Sequence, residues 1–166
     1  MTLAVKVRKA AASEMPVIGN LLQLYLFEFS ATEGTDVEHD GRYKWDGLED
    51  YWTDHDLHPF LFRVDDQLAG FALVQRFSVI SKQPIVWDIE DFFVLAKYRR
   101  LGVGRYAAKQ LFEAFQGKWE IRVINGNERA LKFWKATISE QIENETIPSS
   151  INNDGRVFDL FEFETS

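Results

Sequence analysis

The 166-residue chain has no cysteine. Disulfides, a thiolate nucleophile and thiolate metal ligation are therefore excluded. Such a chain suits a reducing compartment, and the cytoplasm is the expected location. No apolar run reaches the ~20 residues that a membrane-spanning helix needs, so no membrane role is expected. Residues 1–15 lack a basic start and a long apolar centre, so no secretory leader is expected either. Repeats, low-complexity tracts and linker-like stretches are also missing, which points to a single domain over residues 1–166. That length is enough to enclose a real core.

Aromatic residues are plentiful, with 14 Phe, 5 Trp and 5 Tyr. The net charge of −7 hides a sharp division. Residues 28–58 hold ten acids against Arg42 and Lys44. Residues 94–135 hold ten Lys and Arg against Glu113, Glu120 and Glu128. Residues 136–166 are acidic again, with only Arg156 against seven acids. A basic segment inside an acidic protein suggests a compact anionic ligand. Nucleic acid is not expected, because the acidic flanks would repel a long phosphate backbone.

Within the basic segment lies Arg99-Arg100-Leu101-Gly102-Val103-Gly104. It follows the strand-like run Ile85 to Leu95 and opens a helical run from Val103 to Phe115. A strand, a glycine turn and a helix make an anion site. The helix's first N–H groups have no partner, and its dipole adds positive charge. Glycine at 102 and 104 is expected to let a phosphate approach the backbone without meeting a Cβ. A pyrophosphate heads the range of ligands.

Around this turn the chain reads as alternating elements. Ala4–Arg8 is strand-like. Ser13 is a candidate N-cap and precedes a helix whose Ile18, Leu21, Leu22, Tyr25, Leu26 and Phe29 share one face. A short helix is expected at Leu48–Trp52 within the acidic stretch. Phe60–Val64 and Leu68–Phe77 flank a turn at Asp65-Asp66-Gln67, the pattern of a hairpin. Trp119–Ile124 is a strand. Another helix then begins with either Asn125 or Asn127 as its cap and carries Ala130, Leu131, Phe133 and Trp134. Ile138–Ile147 reads as a weak strand, and Asn153-Asp154-Gly155 turns into the strand Val157–Phe163. The expected class is α/β (α+β), with helices around one mixed sheet.

These residues resemble the GNAT superfamily of N-acetyltransferases over almost the whole chain. The acetyl-CoA motif of that superfamily, Arg/Gln-x-x-Gly-x-Gly/Ala, is matched by Arg99, Gly102 and Gly104, with Val94 and Tyr98 at familiar positions. Ala96 stands where many members carry proline. Asn127-Glu128-Arg129-Ala130 matches a second motif, Asn-x-x-Ala, and Phe133-Trp134 follows it. The resemblance implies a mostly antiparallel sheet of six to seven strands, splayed between the fourth and fifth, and acetyl-CoA as cosubstrate. It also implies that the N–H groups of Arg100, Leu101, Gly102, Val103, Gly104 and Arg105 hold the pyrophosphate, with Arg99, Arg100 and Arg105 adding charge. Phe93, Val94 and Leu95 would pair with the pantetheine arm, and a main-chain N–H near Val94 would serve as oxyanion donor. Asn127 and Trp134 would also contact the cofactor. A homodimer is common among such folds.

Acetyl transfer to an amine also needs a base. Glu90 is the first candidate and Asp88 the second. Strand alternation places both on one face with Val94, and Asp91 on the other. The acid is where the chain departs from its relatives, many of which carry tyrosine where Trp134 stands. Another tyrosine, water or no acid at all are the open readings, and a non-catalytic acetyl-CoA-binding module is the alternative. The acceptor is expected to be a small cationic amine, attacking directly in a ternary complex. It would meet the acidic stretch, where Phe29, Trp45, Tyr51 and Trp52 offer rings for cation–π contact. Asp54, His55, Asp56 and His58 are of metal-ligating types, but no metal is expected.

Overall fold

A computed structural model describes residues 2–166. Seven strands form one sheet in the order β1-β2-β3-β4-β5-β7-β6. They are β1 (Val5–Lys9), β2 (Leu57–Val64), β3 (Gln67–Gln75), β4 (Trp87–Val94), β5 (Gly117–Ile124), β6 (Ser149–Asn153) and β7 (Arg156–Thr165). The helices are α1 (Met15–Glu33), α2 (Val103–Ala114) and α3 (Glu128–Ile142), with a 3-10 helix at Leu48–Trp52. Every neighbouring pair is antiparallel except β4 and β5. The expected class, strand count and single mixed sheet are all present. No helix among the described residues is long and apolar enough to cross a membrane.

Two tight turns follow directly from local chemistry. Asp65 and Asp66 at φ 48° and 65° join β2 to β3, and Asp154 and Gly155 at φ 51° and 82° join β6 to β7. Asp and Gly tolerate the left-handed region that two-residue hairpin turns demand.

The sheet carries one core on each face. On one side α2 and α3 bury Val103, Ala107, Leu111, Phe112, Trp134 and Ile138 against Trp119, Ile121 and Phe161. Phe112 meets Trp119 edge-on at 5.0 Å, and Trp119 stacks on Phe163 at 6.3 Å. Such ring pairs add about 0.5–1.5 kcal/mol each beyond their buried area. On the other side α1 buries Ile18, Leu21 and Leu22 against Leu61, Phe71, Leu73 and Phe93. Full burial of each aliphatic side chain stabilises by about 1.5–3 kcal/mol.

Two local expectations need correction, and one open choice is settled. Ser13 does not cap α1. A 3-10 turn at Ala12–Glu14 precedes the helix, and the Glu14 carboxylate accepts both Arg8 (2.7 Å) and the Ala11 N–H (3.0 Å). The expected strand at Ile138–Ile147 is instead the end of α3 and the loop after it. Trp134, Thr137 and Ile138 fall at helical spacing and are buried together, and Glu143 closes the helix at φ 53°. The sixth strand begins later, at Ser149. Asn127, not Asn125, caps α3, accepting the Ala130 N–H at 3.1 Å.

Candidate functional site

β4 and β5 pair only at Trp87–Trp119 and Asp88–Glu120. Beyond that point the two parallel strands part, which is the splay that the resemblance implies. The Leu95 N–H is spent on the Ala69 carbonyl of β3 at 2.8 Å. By alternation the main-chain groups of Val94 and Phe92 face the opening toward β5.

The glycine turn lies at the end of this opening. The first hydrogen bond of α2 runs from the Tyr106 N–H to the Gly102 carbonyl at 3.0 Å. The N–H groups of Val103, Gly104 and Arg105 therefore have no partner within the helix. Gly102 sits at φ +83°, and a Cβ built there would meet nothing within 4 Å. Its approach is open, as a cradle for an anion requires. Gly104 has a different reason to be glycine. A Cβ there would stand 3.2 Å from the Phe133 ring and 3.4 Å from Val94 Cγ2. Its small size serves the packing of α3 onto α2 as well as any phosphate approach. Open space, free N–H groups and basic neighbours fit the pyrophosphate of a coenzyme A.

The arginines of the turn divide. Arg100 and Leu101 are not buried, and Arg105 is paired loosely with Glu140 at 3.5 Å. Arg99 is turned inward. Its Nε donates to the Val94 carbonyl at 2.7 Å, its terminal nitrogen to Glu28 at 2.7 Å, and its guanidinium lies over the Phe93 ring. Trp134 is not at the opening as a free indole. It is only 7% exposed and packs on Phe92 at 5.0 Å and Phe133 at 4.9 Å. Trp134 is thus part of the aromatic core, where the resemblance gives it a cofactor contact.

On the α1 face, β4 presents a cluster of carboxylates. Here the alternation argument fails. β4 carries a bulge where Leu73 pairs with Asp91 but the next residue, Val74, pairs with Ile89. Glu90 is the extra residue, so Glu90 and Asp91 both emerge on the α1 face beside Asp88. Val94 packs with Phe92 into the opposite core instead of sharing a face with Glu90.

Each carboxylate has a distinct partner set. Asp88 accepts Gln75 Nε2 at 2.7 Å and Arg122 at 3.1 Å. Burial pushes its pKa up, opposed by Arg122. Glu90 accepts the Tyr51 hydroxyl, and burial raises its pKa despite that bond. Asp91 accepts Trp45 Nε1 at 3.2 Å, with Tyr25 also bonding to it. Burial, reinforced by the neighbouring Glu90 charge, lifts Asp91 to about 7. Arg122 would be weakened as a cation by burial, but Asp88 and its neighbours raise its pKa instead. Burial raises Tyr51 and Tyr25 too, with Glu90 and Asp91 respectively adding to it.

Of the expected acceptor residues, Trp45 and Tyr51 reach this cluster. Phe29 stands one step away, 4.8 Å from the Tyr25 ring. Trp52 does not reach it, since its Nε1 donates to the Ala10 carbonyl at 3.0 Å. Asp91, Arg122, Tyr25 and Gln75 were not among the expected site residues. Asp54, His55 and Asp56 come together on the surface, while His58 packs on Phe115 at 4.8 Å with its pKa held down by burial.

Comparison with known proteins agrees with this geometry. Residues 19–137 match the model of the acetyltransferase (GNAT) family. No curated protein matches. Among solved structures, an acetyltransferase of Thermus thermophilus is similar at TM-score 0.65 and 13% identity, covering 98% of this chain and 97% of that one. The ribosomal-protein-S18-alanine N-acetyltransferase of Escherichia coli is similar at TM-score 0.63 and 12% identity, covering 98% and 95%. The Salmonella typhimurium protein yncA, solved with its cofactor acetyl-CoA, is similar at TM-score 0.65 and 10% identity, again covering 98% and 95%.

Proposed function

The chain belongs to the acetyltransferase (GNAT) family, acyltransferases with acetyl-CoA as cosubstrate, and on that premise we propose that it acetylates the primary amine of a small cationic acceptor. The observation that carries this reading is the charge of the α1 face, where Asp88, Glu90 and Asp91 are gathered against the single guanidinium of Arg122. Arg122 and Gln75 already satisfy Asp88. Glu90 and Asp91 are held by neutral donors from Tyr51, Tyr25 and Trp45. A cation is the natural complement to that arrangement.

The N–H groups of residues 100–105 would hold the pyrophosphate, with Arg100 and Arg105 adding charge. The edge of β4 at Phe93, Val94 and Leu95 would receive the pantetheine arm, and Asn127 would contact the cofactor at the start of α3. Bound acetyl-CoA supplies an activated thioester. All other work falls to the chain's own residues. The rings of Phe29, Trp45 and Tyr51 would orient the cationic acceptor. Glu90 would take the proton of the amine, its pKa lifted toward the range where a carboxylate accepts protons usefully. Tyr51 fixes that carboxylate through its hydroxyl. Asp88, locked to Arg122, is a weaker candidate than its position in the strand suggests. Transfer would be direct in a ternary complex, the amine attacking the thioester carbon as the coenzyme A thiolate leaves; the chain has no cysteine to serve as a thiolate carrier.

Thiol release from acetyl-CoA across an amine library tests the proposal. Diamines, polyamines and aminoglycosides should give turnover, and neutral or anionic amines should not. Turnover confined to neutral or anionic amines would overturn the choice of acceptor.

A further inference from the structure

We propose that Glu28 of α1 is a positioning residue for cofactor binding, acting through Arg99 on the backbone of the opening between β4 and β5. The proposal rests on the reading that acetyl-CoA binds at the glycine turn. Glu28 lies on α1, in the acidic stretch, and faces two arginines of the basic segment. One carboxylate oxygen accepts Arg99 at 2.7 Å, and the other stands 3.8 Å from Arg129 on α3. Arg99 passes the constraint on. Its Nε donates to the Val94 carbonyl at 2.7 Å, and its guanidinium rests 5.4 Å from the Phe93 ring centroid.

A carbonyl at this point of β4 has no strand beside it, because β5 pairs with β4 only at Trp87 and Asp88. Arg99 supplies the missing donor and sets the plane of the peptide between Val94 and Leu95. Glu28 in turn fixes the Arg99 guanidinium, whose side chain is 22% exposed and would otherwise be free to swing toward solvent. The same carboxylate lies 3.8 Å from Arg129 in the first turn of α3, next to the Asn127 cap. Tyr25, one helical turn earlier on α1, bonds Asp91 on the acceptor face. A single helix thereby touches both halves of the site.

Calorimetric titration of acetyl-CoA into the full chain tests this, with Glu28→Ala, Glu28→Gln, Arg99→Ala and the Glu28→Ala/Arg99→Ala double variant beside the wild type. Charge alone makes a sharp contrary prediction: removing a carboxylate near an anion site should tighten binding. The positioning role predicts the reverse. Dissociation constants should rise about tenfold in Glu28→Ala and about threefold in Glu28→Gln, which keeps an oxygen for Arg99, and the double variant should bind no more weakly than Arg99→Ala alone. Unchanged or tighter binding in Glu28→Ala overturns the proposal, as do losses that add in the double variant. Should Glu28→Ala fail to fold by circular dichroism, Glu28→Gln carries the same test, and unchanged or tighter binding there overturns it. A wild type that does not bind acetyl-CoA overturns the reading of the turn together with this proposal. Wild-type binding that Glu28 variants leave intact overturns the proposal alone.

Discussion

The two faces of the central sheet solve different problems. The face under α2 and α3 is an aromatic core, with Phe112, Trp119 and Trp134 packed around the strands. What it offers a ligand is backbone: free N–H groups at the start of α2 and an open edge of β4. The face under α1 is also apolar toward β1, but at β4 it becomes an array of buried Asp88 and Asp91 with half-buried Glu90 and Arg122. What it offers is charge held by side chains. In the proposed function the first would bind the cofactor and the second would handle the acceptor, which would keep a large anion away from the carboxylates.

Substitutions can break this contrast or sharpen it. The largest effect belongs to Trp134→Ala, which empties the aromatic core and should destabilise the fold by ~3–5 kcal/mol in denaturant unfolding. A loss under ~1 kcal/mol would mean that Trp134 is not core, and that this face is open to solvent. Next, Glu90→Gln should lower turnover about a hundredfold while acetyl-CoA still binds, because only the acceptor face is altered. Turnover that survives in Glu90→Gln removes Glu90 from the proton-transfer role.

Asp91 gives a smaller and pH-dependent effect. Its pKa is raised from 3.8 to about 7 in the folded chain, so the native state holds a proton that the unfolded state has already lost. The stability this confers is complete below about pH 4 and disappears as pH rises through about 7. Asp91→Asn should flatten that fall and leave the variant ~2–3 kcal/mol more stable than wild type at pH 8, measured by thermal unfolding across pH. An unchanged slope would place the buried charge elsewhere. The smallest effect is Gly102→Ala, which forces a Cβ into the left-handed region at φ +83°. It should cost about 1–2 kcal/mol without touching the acceptor face.

The glycine turn was legible in the sequence for a physical reason. A glycine turn between a strand and a helix is a local device, and its chemistry is written in six consecutive residues. The splay of β4 and β5 came with the family resemblance and is present as two paired positions only. The carboxylate cluster was harder. Alternation assigned Asp91 to the wrong face because a bulge depends on how β3 pairs with β4, which no single strand records. Arg122 was invisible for the same reason, since its partner Asp88 lies on another strand. Gly104 was read as phosphate space; that a Cβ there would also meet the Phe133 ring, far along the chain on α3, was not legible. The late start of β6 was missed because Ile138 satisfies a helical spacing with Trp134 as well as a strand pattern.

The division of labour between the faces is tested most directly by titrating acetyl-CoA calorimetrically into wild type, Gly104→Val and Glu90→Gln, with circular dichroism confirming each fold. A branched side chain at 104 meets Phe133 and Val94 and distorts the turn, so binding should fall at least about a hundredfold. Glu90→Gln should bind within about twofold of wild type. Binding retained in Gly104→Val, or lost in Glu90→Gln, would contradict the account.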